Sequence, residues 1–204
     1  MQKGLFITFE GADGCGKTTQ LLLFRDYLIS EGYEVLLTRE PGAKGLGERI
    51  RDILLNYDGE VSDRCESFLF LADRAQNIDT IVLPALEQGK IVLCDRHTDS
   101  TVAYQGYGRG LDIEEINMLN NLATKGTKPD LTFIFDVDIR TSLHRVGNNK
   151  DRMESSGQEF FNRVRQGYLE LAKQEPERIK VIDSTKTVEE IHEDVVRIFK
   201  TCQQ

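Results

Sequence analysis

Gly11-Ala12-Asp13-Gly14-Cys15-Gly16-Lys17-Thr18 lies between a short apolar run, Leu5–Glu10, and a stretch of helical period, Thr19–Leu28. G-x-x-x-x-G-K-T in a strand–loop–helix setting is a phosphate cradle. Its glycines let the backbone wrap an anion, so that successive N–H groups and a helix N-terminus point at it. Lys17 adds a charge, and the Thr18 hydroxyl completes a magnesium shell. The segment from Gly11 through Thr19 is therefore the candidate site for ATP: Gly11, Ala12, Asp13, Gly14, Cys15, Gly16, Lys17, Thr18 and Thr19.

Outward from this loop, short β-branched and aromatic runs alternate with longer helix-period segments, the pattern of β-α units in a parallel sheet. Strands are expected at Leu5–Glu10, Glu34–Thr38, Ile91–Asp95, Leu131–Val137 and Ile179–Ile182. Gly32 and Gly89 stand where helix C-caps precede strands, while Asp63…Glu66, Asp112…Glu115 and Thr187…Glu190 have capping-box spacing. Val188, Ile191, Val195, Ile198 and Phe199 form one stripe that packs the last helix on the sheet. The expected fold is α/β, a five-stranded parallel sheet flanked by helices on both faces, as one domain over residues 1–204. The longest helical stretch runs from Asp63 to Gln88, and Pro84 should kink or end it by removing a backbone donor. Phe68, Leu69, Phe70 and Leu71 cannot all face one sheet, which leaves an interior helix or a helix shared with a second subunit. Arg145–Gln158 is poor in large apolar residues and rich in Gly, Asn and Ser, as in a mobile loop between two helices.

A chain of 204 residues with a formal net charge of −8 can bury one core without disulfides or a structural metal. The acidic balance argues against nucleic-acid partners, which call for many lysines and arginines against phosphates. An anionic small molecule fits if basic residues converge locally. Cys15, Cys65, Cys94 and Cys202 show neither C-x-x-C nor a Cys/His cluster, so a reducing cytoplasm is expected, without a disulfide framework or zinc site. Met1-Gln2-Lys3 runs into the first strand without a signal-peptide pattern, and no apolar run approaches the roughly 20 residues of a membrane span.

The cradle alone does not say what becomes of the phosphates. The third strand ends in Asp95-Arg96-His97 and the second in Thr38-Arg39-Glu40-Pro41-Gly42, at the carboxyl edge where open α/β sheets bind ligands. Arg51, Arg74 and Arg96 are candidates for a basic cluster that grips a second phosphate bidentately. A guanine switch is disfavoured. In Asn148-Asn149-Lys150-Asp151 the aspartate follows the lysine directly with no strand before it, and the third strand lacks a D-x-x-G ending.

Nearly the whole chain resembles the thymidylate kinases: F-E-G-A-D-G-C-G-K-T-T at Phe9–Thr19, T-R-E-P-G at Thr38–Gly42, D-R-H-T-D-S-T-V-A-Y-Q-G at Asp95–Gly106 and K-P-D-L-T at Lys128–Thr132. The resemblance implies a P-loop NTPase fold with a lid over about residues 140–158, and transfer of the γ-phosphate of MgATP to dTMP. It implies that Phe70 stacks on thymine and that Arg74, on the same helix face, reaches the O4 edge. By the same resemblance Arg96 and Arg51 grip the acceptor phosphate, and Asp95 orders Mg²⁺ together with Thr18. Ser100 and Thr101 face the base, with Thr101 near its N3 edge. Tyr104 packs under the deoxyribose with no room for a 2′-hydroxyl, Gln105 follows in the same pattern, and Asp13 belongs to the sugar and magnesium environment.

The acceptor, a phosphate with a second pKa near 6, needs no general base, so catalysis reduces to positioning and charge neutralisation. Lys17, Asp13, Arg96 and a lid cation form the expected catalytic set. Family members with glycine at the position of Gly14 carry lid arginines; here Arg152 is the candidate for the transferred phosphoryl, with Lys150 assisting. The resemblance also implies a homodimer through the long helices. Cys15, a thiol at a helix N-terminus, is expected to have a lowered pKa. A kinase for another pyrimidine nucleotide or a deoxynucleoside, and a nucleotide-dependent switch, are the competing readings.

Overall fold

The computed structural model describes residues 4–146 and 157–202. In chain order the elements are β1 (Leu5–Glu10), α1 (Lys17–Ser30), β2 (Val35–Arg39), α2 (Leu46–Asn56), α3 (Asp63–Asn77), α4 (Leu83–Glu87), β3 (Ile91–Asp95), α5 (Thr98–Thr101), α6 (Ile113–Thr124), β4 (Leu131–Asp136), α7 (Ile139–Val146), α8 (Gln158–Gln174), β5 (Ile179–Asp183) and α9 (Val188–Cys202). The five strands pair all in parallel in the order β2-β3-β1-β4-β5. β1 is central, and Phe6, Ile7, Thr8 and Phe9 are all buried, because helices cover both faces of the sheet. On one face α1 and α9 close over Ile7, Phe9, Phe133 and Phe135 through Phe24, Val195 and Phe199. On the other, Ile134 and Ile179 pack under α6 and α8, and Phe6 and Val92 under Ile78, Val82 and Ala85.

Strand ends differ from the sequence reading by a residue at most. The long helix divides where Pro84 demands it: α3 stops at Asn77, Ile78–Val82 widens into π-helical turns, and α4 restarts with Pro84 in its first turn, where no N–H is needed. The Asp63…Glu66 capping box does not form. Ser62 caps α3 instead, its Oγ accepting the Cys65 N–H at 3.3 Å, and Glu66 turns into the interior. Asp112 accepts the Glu115 N–H at 2.9 Å, and Thr187 and Glu190 exchange both bonds of a box. Val188 is exposed, so the stripe of α9 begins at Ile191. Phe68 is 49 % exposed beside buried Leu71, so α3 is not an interior helix. No helix among the described residues is long and apolar enough to cross a membrane. Lys150 and Arg152 lie outside the described residues.

Candidate active site

Four parallel strand ends and the first turn of α1 converge on one edge of the sheet. Directly after β1, Gly11 takes φ 138°, and a Cβ there would stand 2.7 Å from the Phe135 carbonyl and 2.9 Å from Cys15 Sγ. No side chain fits, which is how the loop passes so close to β4. Gly16, at φ 92°, turns the loop into α1, and leaves the helix N-terminus to face an anion. The Cys15 N–H donates to the Ala12 carbonyl at 3.3 Å, Arg145 reaches the Gly14 carbonyl at 3.4 Å, and Thr19 is exposed on the first turn. Lys17 is buried, its ammonium 3.2 Å from Asp13, and Arg96 Nη2 reaches the same carboxylate oxygen at 2.8 Å. Burial pushes Asp13 up, but Arg96 and Lys17 outweigh it and hold its carboxyl well below the usual range. The Thr18 hydroxyl donates to Asp95 Oδ2 at 3.1 Å, while Asp95 Oδ1 is buried with no hydrogen-bond partner. A hydroxyl beside a carboxylate with one unsatisfied oxygen is a hard-oxygen pair that fits Mg²⁺.

Cys15 departs from the sequence expectation. Its sulfur faces the core, 1 % exposed, and burial raises the thiol pKa more than Lys17 lowers it. Iodoacetamide should therefore leave Cys15 unlabelled in the folded protein and reach it only in denaturant, as mapped by peptide mass spectrometry. Labelling of Cys15 as fast as exposed Cys65 would contradict this.

Arg96 leaves β3 with φ 69°, a conformation uncommon for a residue with a Cβ. Neighbouring bonds fix it there. The Arg96 N–H donates to the Phe9 carbonyl at 3.0 Å, and the next N–H, of His97, donates to Glu10 Oε1 at 2.7 Å. Strained backbone over-determined in this way recurs at functional sites, and here it turns the guanidinium toward Asp13 and over the Tyr104 ring, 5.0 Å from its centroid. Glu10 is fully buried. It accepts from Ser100 Oγ at 2.5 Å and Tyr168 OH at 3.0 Å, and burial, then Asp99, push its pKa up to about 7. The Ser100 hydroxyl is thus engaged with Glu10 and Tyr168, close to Arg96 Nη1 at 3.4 Å.

A partly open pocket of about 590 Å³, solvent at its mouth included, is lined by Arg51, Phe70, Arg74, Arg96, Ser100, Thr101, Tyr104 and Gln105, so the acceptor set read from sequence is brought together entire. A second, open cleft of about 1030 Å³ holds Lys17, Thr18, Arg39 and Asp95. The two share Asp13, Glu40, Arg51 and Arg96. Arg74 does not join Arg51 and Arg96 in the shared region. It is 1 % exposed, and its Nε donates to Glu40 Oε2 at 2.7 Å, Nη1 to Thr101 and Asn120 at 2.7 Å each, and Nη2 to the His97 carbonyl at 2.8 Å. Its charge is answered by Glu40. Burial raises the Glu40 pKa, but Arg74 and then His97 overcome it and bring the carboxyl down to about 2. Tyr104 is pushed up to about 12 by burial.

Four residues of this framework carry no role in the sequence reading: Glu10, Glu40, Asn120 and Tyr168. Glu10 and Glu40 stand at the carboxyl ends of β1 and β2 as Asp95 does at that of β3, and that repetition was a usable signal. Asn120 on α6 and Tyr168 on α8 have no local mark.

A parallel α/β sheet whose P-loop cleft shares two arginines and an aspartate, Arg51, Arg96 and Asp13, with a second pocket defines a P-loop phosphotransferase of the nucleoside monophosphate kinase class. Residues 9–195 match the family model described as thymidylate kinase. The chain is 48 % identical over 200 residues to a thymidylate kinase of Kosmotoga olearia, covering 97 % of this chain and 96 % of that one, and 49 % identical to one of Pelotomaculum thermopropionicum, covering 96 % and 92 %. The crystal structure of thymidylate kinase from Ehrlichia chaffeensis superposes with a TM-score of 0.82 at 40 % identity, covering 97 % of this chain and 99 % of that one. The chain belongs to the thymidylate kinase family.

Proposed function

We propose that dTMP occupies the 590 Å³ cavity with its phosphate toward Arg51 and Arg96, and that MgATP enters over the Gly11–Thr19 cradle. As a family member the chain is an enzyme, a dTMP kinase that passes the γ-phosphoryl of ATP to dTMP and leaves ADP and dTDP. The observation that carries the placement is that the two clefts meet at Asp13, Arg51 and Arg96. Two polyanions repel in water, and cations set between them lower that barrier while holding the acceptor oxygen in line. Lys17 neutralises the donor phosphates. Arg96, anchored by Asp13, spans donor and acceptor. Phe70 lies over the base, and the buried Tyr104 ring closes the sugar face, which excludes a 2′-hydroxyl.

Thr18 and Asp95 would hold Mg²⁺, which supplies charge neutralisation on the β- and γ-phosphate oxygens when bound. Arg152 of the lid, assisted by Lys150, completes the neutralisation. Four thiols free of disulfides support a cytoplasmic site of action. A homodimer through α3 and α6 is supported by Phe68, Met118 and Leu122, which those packed helices leave 49 %, 66 % and 76 % exposed; sedimentation showing only monomer at micromolar concentration removes it. The placement of dTMP is tested by equilibrium titration of Phe70→Ala. Loss of the stacking face should weaken dTMP about tenfold and leave ATP unchanged. Equal weakening of both, or of neither, contradicts the placement.

A further inference from the structure

Gln105 sits in the π-helical stretch Val102–Gly108 and lines the cavity. Its carboxamide has two chemically opposite ends, and a base in the cavity meets whichever end is turned inward. Gln105 Nε2 donates to Glu66 Oε1 at 3.1 Å. Glu66 is fully buried on α3 and pairs with Arg109, whose Nε lies 3.4 Å away and whose guanidinium lies over Phe160, 4.7 Å from the ring centroid. An arginine-paired carboxylate only accepts hydrogen bonds, so it can bind the NH₂ end of Gln105 and not the oxygen. No protein donor among the described residues meets Gln105 Oε1.

We infer that Glu66 is a positioning residue for base selection: it fixes the Gln105 carboxamide with its oxygen toward the cavity, where it accepts the N3–H of a keto pyrimidine. Cytosine carries a lone pair at N3 and so meets oxygen against nitrogen with no hydrogen between them. Thymine and uracil offer N3–H and are accepted. The same edge is read a second time by Arg74. Four of its five N–H groups are committed to Glu40, Thr101, Asn120 and the His97 carbonyl, and the fifth is a donor suited to a keto oxygen and opposed to an amino group. Donor beside acceptor is the complement of the O4/N3–H edge and the mismatch of the N4–H₂/N3 edge. Discrimination built on unpaired buried polar groups is large. The inference rests on the base lying in this cavity, as proposed above.

Glu66→Gln keeps the shape but lets position 66 donate as well as accept, so the Gln105 carboxamide can turn over. The ratio of kcat/KM for dTMP to that for dCMP should fall at least about tenfold, mainly through a raised KM for dTMP, with dUMP following dTMP and the KM for ATP unchanged. The double exchange Glu66→Gln with Gln105→Glu again leaves only oxygen to face the base, and should restore the ratio to within about threefold of wild type. A purely structural role for Glu66 gives no such rescue. An unchanged ratio in Glu66→Gln, a loss shared by ATP, or a double exchange no better than the single one overturns the inference. Gln105→Ala separates the two levels. If it leaves the KM for dTMP unchanged, the placement of the base is wrong; if it raises KM while Glu66→Gln does not, only the role of Glu66 falls.

Discussion

Arg96→Ala should lower kcat/KM for dTMP by roughly three orders of magnitude, about 4 kcal/mol of transition-state stabilisation. The size follows from its place: Arg96 lies in both clefts, as Arg51 does, and is also tied to Asp13 at 2.8 Å, which sets its guanidinium where donor and acceptor meet. Asp13 retains Lys17 as a partner, so the melting temperature should move little. Arg96→Lys should recover less than about tenfold, because a single ammonium cannot hold Asp13 and a phosphate with parallel donors. Steady-state kinetics beside thermal unfolding check this, and a loss smaller than tenfold in Arg96→Ala refutes the bridging role.

Glu40→Ala should destabilise the fold by about 3–5 kcal/mol, because it leaves the Arg74 guanidinium buried without its counter-charge. Both side chains of this pair are 2 % exposed, and the carboxylate also receives Asn77 at 2.9 Å and His97 at 3.1 Å. In a domain of this size the loss corresponds to a melting temperature lower by roughly 10 °C. The pH dependence has a definite sign. The Glu40 pKa falls from 4.5 unfolded to about 2 folded, so its contribution is complete above pH 4.5 and is lost as pH falls toward 2. Urea unfolding of wild type between pH 5 and 3 should show that loss, and Glu40→Gln should flatten it. A melting temperature within about 2 °C of wild type for Glu40→Ala contradicts the assignment.

The sheet and the phosphate cradle were legible because their signals are local. A strand, a glycine loop and a helix start occupy consecutive residues, and the parallel order follows from alternation of strand and helix periods. The acceptor pocket was legible only through the motif resemblance, since Arg51, Phe70 and the Arg96–Tyr104 run come from three separate segments that local pattern does not join. Burial was the quantity the sequence hid. Cys15 is read as reactive from its helix N-terminus, yet its side chain points into the core, where desolvation raises its pKa. Arg74 is read as one of three phosphate ligands, yet Glu40, Asn120 and the His97 carbonyl claim it. Tyr168 and Asn120 reach the site from helices distant in sequence, and only the packing of α8 and α6 reveals them.

The most direct test of the account is an ADP-release assay with MgATP and dTMP, dUMP, dCMP, UMP or thymidine at equal concentration. dTMP should lead by about tenfold or more, with dCMP and UMP far behind and thymidine inert for want of a phosphate to meet Arg51 and Arg96. Turnover of thymidine in preference to dTMP, or ADP release with no acceptor preferred, would contradict the joining of the two clefts into one phosphoryl-transfer site.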